Sequence, residues 1–101
     1  MKEITTIALM ALASTAALAN ADLAKKNNCL ACHAVDKKIV GPAYQDVAKK
    51  YASQADAEAT VMKNIKAGGS GKWGPIPMPP QTQLSDADAK ALAAWVLGGA
   101  K

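Results

Sequence analysis

Apolar positions along this chain recur at helical spacing, and no stretch alternates apolar with polar residues as a half-buried strand would. Asp22 to about Cys29 reads as a short first helix through Leu23 and Ala24, with Lys25 and Lys26 on its solvated face. Gly41-Pro42 punctuates a loop, and Pro42 to about Ala52 reads as a second helix with Val47 and Tyr51 at i, i+4. A third runs from about Asp56 to Lys66, where Val61, Met62 and Ile65 share a face and Gly68-Gly69 supplies the stop. Gly and Pro crowd the segment from Gly68 to Gln83, which is a loop. Ser85 and Asp88 then form a Ser-x-x-Asp capping box that opens a last helix carrying Leu92, Trp95, Val96 and Leu97, and Gly98-Gly99 ends it. About four short helices joined by irregular loops predict an all-α domain, not a long-helix bundle.

The first residues follow a different pattern. Lys2 makes a short charged start, cancelled by Glu3; an apolar stretch runs from Ile4 to Leu12, and a small-residue run ends at Ala17-Leu18-Ala19. That is the form of a secretory signal, too short to span a bilayer as a helix. Residues 1–19 are thus expected to be removed, leaving 20–101 as one domain; cleavage after Ala21 is the other option. The signal holds no Cys, which excludes a lipoprotein anchor, so the expected product is exported, without a membrane anchor, and periplasmic. A domain this small buries only a modest core. There is no Phe, and Tyr44, Tyr51, Trp73 and Trp95 are the only aromatic residues. Such a chain needs a staple.

Candidate chemistry supplies one. The two cysteines of the chain, Cys29 and Cys32, are followed at once by its only histidine, His33. Cys-x-x-Cys-His is the run by which haem c is attached covalently and given an axial imidazole. Thiols two residues apart lie about one helical turn from each other, so both reach the haem vinyl groups from one side. Three other uses of the pair compete. A thioredoxin-like disulfide normally follows a strand, and none precedes Cys29. A structural zinc site needs four ligands, and these residues offer three. A plain disulfide across two residues closes too short a loop to constrain the unfolded chain much. One haem c is the expected cofactor, and its porphyrin becomes part of the core.

Haem iron accepts His, Met, Cys or Tyr at its axial positions. With one His, and both Cys used in attachment, two histidine ligands are impossible within the chain. Met1 and Met10 leave with the signal, so Met62 and Met78 remain. Met62 lies on the apolar face of a helix, where methionine usually fills a core gap. Met78 sits in Gly74-Pro75-Ile76-Pro77-Met78-Pro79-Pro80, whose prolines stiffen the backbone and suit it to hold a thioether against a metal.

The chain as a whole resembles a small bacterial class I monohaem cytochrome c of the c-551/c-552 type. The likeness rests on Cys29-Leu30-Ala31-Cys32-His33, Val40-Gly41-Pro42-Ala43-Tyr44, Trp73 through Pro80, and the closing helix with Trp95. Cytochrome c′-type proteins differ, since their attachment motif lies near the C-terminus of a four-helix bundle. The resemblance implies a class I cytochrome c fold around one covalently attached haem c, ligated by His33 and Met78, with its edge partly exposed. It implies that the Pro42 carbonyl accepts from the non-ligating His33 nitrogen, that a buried Trp73 indole donates to a haem propionate, and that Gln81 stands close to the ligand sulfur. It also exposes a departure. Where many relatives carry a basic residue near the inner propionate this chain has Asn64, and it contains no Arg at all.

An iron with both axial positions filled does one-electron exchange and no substrate chemistry, so the expected function is an electron carrier rather than an enzyme. Met ligation and burial both favour Fe(II), which raises the potential. The alternative is a haem protein whose Met78 dissociates, opening the iron to peroxide or small-gas chemistry. Net charge is +4, and two ionised propionates lower it to about +2. Lysines come in pairs (Lys25-Lys26, Lys37-Lys38, Lys49-Lys50) that suit ordinary solvated faces or steering of acidic redox partners to the haem edge in transient contacts. Nucleic-acid binding would require concentrated phosphate-reading patches. A monomer meeting redox proteins is the expectation.

Overall fold

The computed structural model describes residues 19–101. The expected signal therefore lies, Ala19 apart, outside the described residues. Helix α1 occupies residues 19–26, α2 Tyr44–Tyr51, α3 Ala57–Ala67 and α4 Asp86–Leu97, with a 3-10 turn at Cys29–Ala31. No β-strand forms among the described residues, only isolated bridges between His33 and Lys38 and between Gly69 and Met78. The fold is all-α.

The first helix ends earlier than its apolar pattern suggests. Asn28 adopts a left-handed conformation (φ 62°), which breaks α1 and restarts the chain as the 3-10 turn. Asn tolerates that region better than most residues, because its short polar side chain bonds locally. The motif cysteines thus stand on their own tight turn, where the Cys32 and His33 N–H groups both donate to the Cys29 carbonyl.

Helix α2 has no side-chain cap at Ala43. Its first N–H groups are satisfied from outside: Tyr44 N–H donates to Ala34 O at 2.9 Å and Gln45 N–H to Val35 O at 3.0 Å. The segment after His33 is thereby fixed to the start of α2. At α4 the Ser85 hydroxyl accepts from Asp88 N–H at 3.1 Å, which is the N-cap half of the expected box.

Helix α4 packs against both α3 and α2. Val47 and Tyr51 of α2, Val61 of α3 and Leu92, Ala93 and Val96 of α4 form the buried cluster, and Lys66 pairs with Asp86 across the α3–α4 junction. Trp95 is buried too, edge-on to Tyr44 at 5.5 Å, and its indole N–H has no acceptor among the described residues.

Candidate haem-binding site

Several of these core residues are also the floor of a cavity of about 760 Å³: Val47, Tyr51, Val61, Leu92 and Val96 face it. The hydrophobic core is therefore hollow on one side. Cys29, Cys32, His33, Pro42, Trp73, Met78 and Gln81, the residues singled out in the sequence, all line this same space.

On one wall, Val40 and Gly41 N–H groups donate to the Cys32 carbonyl at 3.2 and 2.7 Å, folding the 34–41 loop back over the motif. That brings Pro42 to His33, whose Nδ1 lies 2.8 Å from the Pro42 carbonyl oxygen. A carbonyl only accepts, so the proton sits on Nδ1 and Nε2 keeps its lone pair for a metal. Gly41 permits this approach: a Cβ there would stand 2.5 Å from His33 Cε1. The Tyr44 ring stacks on the imidazole at 5.1 Å and 19°, a second restraint on its orientation.

Burial pushes the Cys29 thiol above its ordinary value, although a hydrogen bond from the Tyr44 hydroxyl draws it partly back. A redox-active Cys-x-x-Cys pair needs the opposite, a thiol made acidic enough to attack as thiolate. Both thiols are free. Among the described residues no third Cys, Asp or Glu joins them and His33 as a metal cluster, so a zinc site lacks ligands.

The facing wall is the loop after α3. Met78 pairs with Gly69 by two backbone hydrogen bonds, and Gln81 N–H donates to Ile65 O at 3.2 Å, tying the C-terminal part of the proline segment to α3 and the turn after it. The Gln81 side chain donates to Pro79 O at 3.0 Å and accepts from Gln83 at 2.8 Å. Met62, the other methionine among the described residues, faces a separate shallow groove with Asp56 and Lys90. Trp73 lies in the loop at the cavity mouth, with the Lys50 ammonium 4.9 Å above its ring.

Sequence reasoning treated Gly41 and Gly68-Gly69 as loop punctuation, and the structure gives them a steric task. A Cβ on Gly68 (φ 68°) would run into the Met78 carbonyl. It also gave no role to Tyr44, which opens α2 and stacks on His33, a place that no periodicity marks.

Two thiols on one turn, an imidazole with its outer nitrogen engaged, and an apolar cavity with no carboxylate lining it among the described residues fit a covalently bound porphyrin. Residues 18–100 match the family described as cytochrome c. The chain is 62% identical over 81 residues to cytochrome c-552 of Nitrosomonas europaea, covering 80% of this chain and 79% of the relative. It is 59% identical over 75 residues to cytochrome c-551 of Pseudomonas aeruginosa, covering 74% and 71%. The crystal structure of wild-type Nitrosomonas europaea cytochrome c552 superposes with a TM-score of 0.76 at 61% identity, covering 78% of this chain and 98% of that one. The fold and site thus define an all-α haem c electron carrier of class I type. The chain belongs to the cytochrome c family, and carries one covalently bound haem c.

Proposed function

We propose that the chain is an exported one-electron carrier whose haem iron is held between His33 Nε2 and Met78 Sδ. The observation that carries this reading is that Met78 shares the cavity with His33 while Met62 does not. Cys29 and Cys32 are the covalent attachment points. So held, the haem supplies reversible exchange between Fe(III) and Fe(II).

The chain's residues act around that exchange without joining it. The Pro42 carbonyl keeps the proton on His33 Nδ1 and makes the imidazole a stronger donor. Gly69 and the flanking prolines hold Met78 in a fixed backbone position, so little rearrangement accompanies electron transfer. Trp73 Nε1–H donates to a propionate, and Gln81 limits movement near the ligand sulfur. Residues 1–19 act as the export signal, cleaved after Ala19 or Ala21, and 20–101 work in the periplasm. Among the described residues no helix is long and apolar enough to cross a membrane. Exposed Val40, Trp73 and Ile76 ring the cavity with Lys26, Lys38 and Lys72, a rim suited to brief contacts with acidic redox proteins.

Optical spectra of the oxidised and reduced holoprotein, with and without carbon monoxide, test the reading. A weak long-wavelength sulfur-to-iron(III) band and a reduced spectrum indifferent to carbon monoxide are expected, and Met78→Ala should lose the band and bind carbon monoxide. A wild-type spectrum that is high-spin and shifts with carbon monoxide would replace electron transfer by ligand-binding or peroxide chemistry.

A further inference from the structure

Where the ends of α2 and α3 meet the loop after α3, the cavity wall carries donors without an anion. The Lys72 ammonium donates to Asn64 Oδ1 at 3.5 Å, and Asn64 Nδ2 donates to the Tyr51 hydroxyl oxygen at 3.5 Å. Tyr51, Asn64 and Lys72 all line the cavity. Tyr51 is only 4 % exposed, yet its own O–H proton has no acceptor among the described residues. Lys72 likewise takes no part in the one ion pair found there, Lys66 with Asp86. No Asp or Glu among the described residues lines the cavity.

A cation and a spare buried hydroxyl proton on the wall of a haem cavity call for an oxyanion. Haem c brings two carboxylates. We propose that Lys72, steered by Asn64 and flanked by the Tyr51 hydroxyl, binds one haem propionate and supplies the countercharge in a chain that has no arginine. Both hydrogen bonds in the string are long, at the edge of useful geometry, so the ammonium exchanges Asn64 for a carboxylate at little cost. The pairing is charge-assisted, and it places the compensating cation on a lysine of the loop instead of on α3, where position 64 holds an uncharged amide.

Other charged or titratable groups near this wall are Lys50, over the Trp73 ring, and Lys63, exposed on α3; Lys26, Lys38, Tyr44, His33 and the cysteines line the rest of the cavity. α4 contributes only Leu92 and Val96.

The test is the midpoint potential of the haem-loaded protein as a function of pH in wild type, Lys72→Gln, Lys72→Arg, Asn64→Leu and, as a control on an exposed lysine of the other groove, Lys90→Gln. An opposite charge within hydrogen-bond reach lowers a carboxyl's affinity for protons at least tenfold. Lys72→Gln should therefore move the propionate step in the potential to higher pH by about one unit, Asn64→Leu by less, Lys72→Arg little and Lys90→Gln not at all. If Lys72→Gln leaves the step where it is, Lys72 does not bind the propionate, even if the potential falls uniformly from the lost charge. The inference rests on the haem, not on its axial ligands: the sulfur-to-iron band read in the same samples judges Met78 separately.

Discussion

Met78 is bound at both of its backbone polar groups by one residue, Gly69: its N–H donates to Gly69 O at 2.8 Å, and its carbonyl accepts from Gly69 N–H at 3.1 Å. The neighbouring Gly68 ends α3 with φ 68° and lies against the Met78 carbonyl. Gly68→Ala meets two penalties, a left-handed residue with a Cβ and a clash with that carbonyl. Loss of about 1–2 kcal/mol from the backbone alone is expected, with more from the clash. Guanidinium unfolding should show it, and a weakened sulfur-to-iron(III) band should show that the strain reaches Met78. An unaltered band with reduced stability would confine Gly68 to helix termination.

The other wall has its own glycine constraint. At Gly41 an added methyl stands 2.5 Å from His33 Cε1 and 2.9 Å from Nδ1, where only movement of the ring relieves it. Gly41→Ala is expected to lengthen the 2.8 Å bond to Pro42 and speed solvent exchange of the Nδ1 proton, measured by NMR of the reduced protein. A proton that exchanges at the wild-type rate would mean the 34–41 loop yields instead.

The core predicts its own dependence on the haem. Val47, Tyr51, Val61, Leu92 and Val96 belong to the buried cluster and also line the cavity, so a chain without the porphyrin lacks the group that packs against their cavity side. A domain of this size has little apolar area in reserve. A double Cys29→Ala/Cys32→Ala chain produced without haem should show weak far-ultraviolet helical signal and no cooperative thermal transition. A sharp transition would show that α2, α3 and α4 suffice alone.

The attachment run was legible because covalent chemistry demands neighbours at fixed spacing, and the helices were legible because their starts and stops are local, as at Ser85 and Gly68. Two features escaped. The break at Asn28 is a single left-handed residue inside a pattern that otherwise continues, and apolar periodicity does not register backbone sign. The path of the 68–80 loop has no periodicity at all, so the approach of Lys72 to Asn64 could not be read from the sequence. Tertiary position decides it.

Tyr44 gives a pH dependence with a definite sign. Its phenol is raised above the ordinary value of 10.0 first by burial, with Cys29 adding to it. In the haem-loaded protein the Cys29 sulfur is a thioether and cannot carry charge, so burial is what remains. Above pH 10 the unfolded chain releases this proton while the folded chain keeps it, so the folded state binds more protons and stability falls as pH rises. Below pH 10 both states are protonated and the contribution is complete. Wild type should therefore lose up to about 1.4 kcal/mol more per pH unit above that point than Tyr44→Phe does. Guanidinium unfolding of both proteins between about pH 8 and pH 11 measures the difference. Parallel curves would mean that Tyr44 ionises in the folded protein as readily as in the unfolded chain, and that its ring, stacked on His33, is open to water.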